Sequence, residues 1–353
     1  MVMRDEVDRK AFVLKRGQYD DKGEEAHPGL PQAFSPTPAD ENLNRLHLAR
    51  WMVDGKHPLT SRVFVNRLWE QFFGTGIVKS SENLGRQSDW PSHPELLDWL
   101  AADFVESGWD VKRFIRLMVM SRTYRQSAVV EEEKLRRDPD NRLLSRGPRT
   151  RLQAEMLRDQ ALFVSGLLVE RLGGPSWWVY QPAGLWLEVE KRGTFVQDHG
   201  EKLYRRSLYS RIRRTVAPPS MLLFDMPSRE MCSVKRTLTN TPLQALALMN
   251  EVTYVEAAKK FAERMMTKGG TPAERIAWGF RCATSRVADE AELEILVKGY
   301  ERRLEHYRKN GKAAADLLDQ GESKIAGYLP KSEMAALATV ANVILNLDEV
   351  INR

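Results

Sequence analysis

Residues 57–127 carry apolar side chains at three- and four-residue intervals in three successive runs, and this restricts the fold more tightly than any other feature of the chain. Val65, Leu68, Trp69, Phe72 and Phe73 form the first run. Leu96, Leu97, Leu100, Ala101, Phe104 and Val105 form the second, and Val111, Phe114, Ile115 and Met118 the third. That period places each run on one face of an α-helix, so three short helices must bury their stripes against a shared core.

Helix starts are marked further along the chain. Ser92 with Glu95, Thr241 with Gln244, Thr271 with Glu274 and Asp289 with Glu292 have capping-box spacing, and Pro242 and Pro272 sit where a missing N–H costs nothing. Asp40 is expected to cap a helix over 41–53. A long helix is predicted over 152–172, stopped by Gly173, Gly174 and Pro175, and the stripe Leu293, Leu296, Val297, Tyr300 and Leu304 predicts another. Residues 176–227 differ: they are rich in Trp, Gly, Pro and Arg. There SLYSRIRR alternates so that Leu208, Ser210 and Ile212 oppose Tyr209, Arg211 and Arg213, which predicts a strand or hairpin. The expected fold is mostly α, a multi-helical compact body with a small irregular β insert at 176–227. Residues 1–39 are expected to form an extended arm with one short strand over 10–15. A single helical domain over 40–353 should follow, made of a helical core at 40–175, the insert, and C-terminal helices at 228–353. The charged run 131–137 and the polar stretch 309–323 are expected to be connectors.

The net charge of +6 arises from 54 basic and 48 acidic residues that are interspersed, so nucleic acid is not expected; acidic polysaccharide fits a modest basic bias of this kind. No run of 18 apolar residues occurs, so no transmembrane segment is expected. The first residues are charged from the fourth onward and lack the apolar core of a secretory leader. Cys232 and Cys282 belong to no CxxC or CxxCH pattern, so no haem attachment and no cofactor is expected in this chain; buried free thiols are expected in preference to a disulfide.

Three groups of residues are candidates for a site. Arg205, Arg206, Arg211, Arg213 and Arg214 would line one strand, where guanidinium groups can grip carboxylate or sulfate bidentately, with Tyr209, Trp178, Trp177, Trp186, Tyr180 and Tyr204 available for stacking. The plain structural alternative pairs these arginines with Glu155 and Asp159 and uses the tryptophans as anchors. Arg62, Asn66, Arg67 and Glu70 share a helix face and, with His57, His93, Asp89 and Arg86, could frame an acid–base pocket; a histidine before proline is also a natural helix-entry residue. Thr239, Asn240, Thr241 and Asn250 flank a helix start that can bind an anion, although capping accounts for them more economically. Cys232 lies among Arg229, Lys235 and Arg236 with no histidine close in sequence, which argues against a nucleophile. No HExxH, GxSxG or GxxxxGK[ST] pattern is present, so no metal site is expected.

The runs HPLTSRVFVNRLWEQFFGTGIV, SHPELLDWLAADFVESGWDVKRFIRLMVMSRTYRQS, DPDNRLLSR with RLQAEMLRDQAL, YRRSLYSRIRR and TLTNTPLQALALMNEVTYVEAAKKFAERM occur here in a characteristic order. In these runs, and in the closing LATVANVILNLDEVINR, the chain resembles a planctomycete-specific C-terminal domain family of unknown function. The resemblance extends from about residue 16 to the end. It implies a module of a larger exported protein, periplasmic or otherwise extracytoplasmic, often accompanied by a cytochrome-c-like domain, and it implies no catalytic residue. The expected function is a non-catalytic accessory or binding module that recognises acidic or sulfated polysaccharide or docks a redox partner. The rival expectation is a hydrolase or lyase with a site between the helix over 62–70 and the strand over 205–214. A third is a structural scaffold with neither role.

Overall fold

The computed structural model describes residues 10–34, 43–182, 184–186, 195–213 and 216–352. Contacts group the chain into two units, Met1–Pro148 and Arg149–Arg353. The boundary falls inside the 40–353 stretch that the sequence predicts as one helical domain. Both units are mostly α, and among the described residues no helix is long and apolar enough to cross a membrane.

In the first unit, strand β1 (Ala11–Leu14) pairs antiparallel with β2 (Lys22–Ala26). The strand expected over 10–15 is thus half of a hairpin. Its partner, KGEEA, has no apolar alternation to reveal it. Helix α1 (Arg45–Met52) begins later than expected: Asn44 Oδ1 accepts from the Leu46 and His47 amides at 3.0 and 3.2 Å. Asp40, the predicted cap, lies outside the described residues.

The three stripes become α2 (Thr60–Phe73), α3 (Pro94–Glu106) and α4 (Val111–Met120). Their buried residues form one cluster that includes Val65, Trp69, Phe73, Leu97, Leu100, Phe104, Phe114 and Met118. Gly74, at a φ of 78°, closes α2 in the left-handed conformation that glycine adopts without strain. His93, not Ser92, holds the N-cap position of α3, without a side-chain bond to the helix, while the Ser92 hydroxyl donates to the Ile77 carbonyl. The run expected as a connector contains a short helix, α5 (Glu132–Arg137), with Arg136–Glu132 and Arg137–Glu133 pairs one turn apart. DPDNRLLSR then folds on itself. Asp138 accepts from the Arg142 and Leu143 amides, and the Arg142 guanidinium donates to the Gly76 and Ile77 carbonyls at 2.8 and 3.0 Å.

The second unit opens with α6 (Ala154–Ser165), which ends seven residues short of the predicted 172 because Gly166 takes a φ of 78°. Residues 176–227 are irregular, as expected, but the described part holds no strand. It contains 3-10 turns at Gly200–Tyr204 and Ser207–Tyr209, isolated single-residue bridges, and helix α7 (Pro219–Leu223). The turn at Ser207–Tyr209 breaks the expected alternation, leaving Leu208 exposed while Ser210 is buried.

The remaining helices are α8 (Pro242–Asn250), α9 (Val252–Thr267), α10 (Pro272–Thr284), α11 (Glu290–Lys309), α12 (Gly311–Leu318), α13 (Lys331–Leu345) and α14 (Asp348–Ile351). Reciprocal capping boxes start α10 and α11 at Thr271/Glu274 and Asp289/Glu292, as the spacing predicts. At the head of α8 the Gln244 side chain accepts from the Thr241 amide.

Helix α13 is nearly enclosed, with Met334, Ala335, Ala336, Leu337, Ala338, Ala341 and Ile344 all buried. Its alanines present little bulk to α9, which contributes Ala258, Phe261, Ala262 and Met265 to the same cluster. On α9, buried Glu256 accepts from Tyr180 OH, Tyr204 OH and the Ser323 amide at 3.1, 2.8 and 2.6 Å. One turn on, buried Lys259 donates to the Gln320 and Ser323 carbonyls at 2.6 and 2.7 Å. Of the stretch 309–323 expected as a connector, 311–318 is helix α12 and the loop at 320–323 is fastened to α9.

Two outcomes follow for stability. Ala336→Leu inserts volume where α13 is fully buried and should cost about 1–3 kcal/mol in denaturant melts. Arg286 bridges Glu292 and Glu349 at 2.6 Å each, and its hydrogen bond holds the Glu292 carboxyl down at about 2. A depressed folded pKa stabilises fully above the ordinary carboxylate range and loses its effect as pH falls toward that value. Arg286→Gln should therefore lower the Tm at neutral pH, and its deficit should narrow as melts are repeated at successively lower pH.

Candidate arginine–tryptophan surface

The expected row of arginines separates into different environments because its backbone is a chain of turns. Arg205 is buried, donates to the carbonyls of Arg171, Gly173 and Pro175, and lies 4.2 Å over the Tyr209 ring. The Tyr209 hydroxyl in turn accepts from the Gly173 amide at 2.8 Å. Arg206 is exposed and stands 3.6 Å from Asp159, whose other oxygen accepts from the Ser207 amide. The structural alternative is thus met at Asp159, whereas Glu155 pairs with Arg236 at 2.6 and 3.0 Å.

Arg211 and Arg213 are exposed, and each lies over a tryptophan: Arg211 is 4.6 Å from the Trp178 ring and Arg213 is 5.0 Å from Trp186. Trp178, Trp186 and Phe195 pack together, with ring centroids 5.1 to 5.9 Å apart. Two guanidinium groups thereby lie over one aromatic cluster, a geometry that restricts their motion. Arg214 lies outside the described residues.

Sequence reasoning missed Arg158. It is buried, lies 4.7 Å over Trp177, and donates to the carbonyls of Leu203 and Arg205 and to Ser207 Oγ. Burial pushes its pKa down, with Asp159 and other nearby groups opposing the shift. The signal was present: Arg158 is four residues from Ala154 and one from Leu157 on the buried side of α6.

The second candidate group belongs to the first unit and consists mainly of internal fasteners. His57 Nδ1 accepts from the Leu59 and Thr60 amides at the entry to α2, the helix-entry role. Arg62 donates to Asp98 at 2.7 Å and to the Pro58 carbonyl at 2.6 Å. Asn66 is fully buried, with Oδ1 accepting from the Val78 amide at 2.8 Å and Nδ2 donating to the Val78 carbonyl and Ser81 Oγ. Arg67, Arg86 and Asp89 are exposed; Glu70 is half-buried, and His93 Nδ1 contacts Ser92 Oγ at 3.0 Å.

In the third group, Thr239 binds Asp225 through its amide and hydroxyl at 2.9 and 2.8 Å, and Arg151 joins Asp225, Gln244 and the Thr239 carbonyl. Asn250 donates to the Leu246 carbonyl at 2.8 Å, and Asn240 is exposed. Both cysteines are free and exposed, which corrects the expectation of buried thiols. Each lies in a sequence too polar to close over it: Cys282 follows Arg281 on an exposed helix edge, and Cys232 sits in SREMCSVKR. Among the described residues no three His, Cys, Asp or Glu side chains form a group that could hold a metal ion.

Residues 44–300 match a family model described as PSD1, protein of unknown function (DUF1553). No curated protein and no solved structure matches the chain.

The Asn66 geometry gives a direct outcome. Asn66→Ala strands the Val78 amide and leaves its carbonyl only the 3.5 Å bond from Ser81 Oγ, and should destabilise the protein by about 1–3 kcal/mol in chemical denaturation.

Proposed function

The chain belongs to the PSD1 family, and from that premise we propose that it is a non-catalytic binding module whose Arg211–Trp178 and Arg213–Trp186 pairs recognise acidic or sulfated polysaccharide. The observation that carries the reading is the placement of two exposed guanidinium groups over one aromatic cluster. Guanidinium forks match carboxylate and sulfate oxygens, and the rings of buried Trp186 and half-buried Trp178 beneath them hold the two groups in place. The net charge of +6 adds a weak attraction for polyanions over longer range. Arg205 and Arg158 support the surface from beneath by satisfying the carbonyls of its turns. An extracytoplasmic location, and association with a cytochrome-c-like domain in a larger precursor, belong to the same proposal. They rest on the resemblance of the sequence runs quoted above.

A hydrolase or lyase reading draws less support. The helix over 62–70 would have to supply its acid–base groups, yet Arg62 and Asn66 are engaged in internal hydrogen bonds and His57 in helix entry.

Retention on immobilised heparin and polygalacturonate, followed across a salt gradient, tests the proposal. Loss of one charge-assisted contact corresponds to roughly tenfold in affinity, so Arg211→Ala and Arg213→Ala should each weaken retention by about that factor with little change in Tm. Arg205→Ala should instead lower the Tm. Absence of salt-sensitive retention by the parent protein, or retention indifferent to both exposed substitutions, would refute the proposal.

A further inference from the structure

The second unit contains a cleft of 740 Å³ that the arginine–tryptophan surface does not use. This volume lies within the range of small-molecule sites. Its walls come from α7, the junction between α8 and α9, the 319–321 loop and the segment 180–182. Leu223, Ala247 and Val252 make much of the lining apolar.

The charged groups on the lining are carboxylates, Glu251 and Asp319; among the described residues no Lys or Arg lines it. Asp319 is paired with Lys324 at 3.0 Å. Among the described residues Glu251 has no ion pair of that kind. Its oxygens accept from Thr253, through the amide at 2.9 Å and the hydroxyl at 3.1 Å, and the Tyr254 amide also acts on the carboxyl. Burial pushes the Glu251 carboxyl up, and Arg158 acts on it only through space.

Gln181 also lines the cleft, but its Oε1 accepts from the Trp186 indole N–H at 2.6 Å and its Nε2, without a partner among the described residues, is shut off from solvent, so it does not face a guest.

We propose that this cleft is a second ligand site, for a small and largely apolar primary amine. The ammonium group meets Glu251, and the apolar body lies against Leu223, Ala247 and Val252. An anionic ligand is disfavoured because, among the described residues, the lining carries two carboxylates and no cation. Its charge preference is opposite to that of polysaccharide recognition.

The full chain is titrated calorimetrically with naphthylethylamine, naphthylethanol and naphthylacetate. The amine should bind saturably, one per chain, and naphthylethanol about tenfold more weakly, the factor expected for losing a charge-assisted hydrogen bond. Naphthylacetate should not bind. Ala247→Phe and Val252→Phe, on different helices, should each weaken amine binding at least tenfold, and Glu251→Gln should abolish the preference for amine over alcohol. If Glu251→Gln fails to fold, the probe order in the parent and the two wall variants still decide the matter. No saturable amine binding, naphthylacetate binding as tightly as the amine, or indifference to both wall variants would overturn the proposal. Heparin retention is the control, because it should be unchanged in both wall variants whichever way the amine result falls.

Discussion

A segment without strand partners must still satisfy its carbonyl groups, and in the second unit the buried guanidinium of Arg158 is what makes this possible. From α6 it reaches the carbonyls of Leu203 and Arg205 while stacking on Trp177. Arg205 repeats the device one layer outward, gathering three carbonyls from the stretch that follows α6. Side-chain donors thereby replace a β-ladder. A regular strand would have aligned Arg205, Arg211 and Arg213 on one face; turns held by arginines sort them into a buried support and exposed hands.

That sorting explains how far the sequence could be read. The stripes over 57–127 translated directly into α2, α3 and α4, because apolar burial at helical period has few other solutions. Capping boxes at Thr271 and Asp289 were equally legible, since both partners lie within one turn of sequence. The segment 205–213 was not. Its period-two pattern resembles a strand, but strand formation depends on a neighbour, and what the chain supplies is a helix with a buried arginine. Arg205 and Arg211 look alike in sequence, and only the tertiary environment distinguishes them. The stretch 152–172 reads as one helix from its apolar spacing, and the stop comes from the positive φ of Gly166, which spacing does not reveal.

In the first unit the residues that invited a catalytic reading are better understood as joints. Asn66 completes the backbone of Val78, His57 receives the free amides at the head of α2, and Arg142 fixes the DPDNRLLSR loop to Gly76 and Ile77. Such polar side chains are tied to loops because loops carry unsatisfied backbone groups, so a motif dense in them indicates precise loop geometry at least as strongly as it indicates chemistry.

The Glu256–Lys259 turn of α9 has a consequence for the cleft beside it. Glu256 engages two phenols and one loop amide, Lys259 clasps two carbonyls of the same loop, and Gly321 leaves no room there, since a Cβ at that position would fall 2.3 Å from the Glu256 carboxyl carbon. Wall and floor are consequently interlocked and cannot drift apart independently. A guest entering such a rigid vestibule would find its shape already set, with little chain entropy left to surrender on arrival.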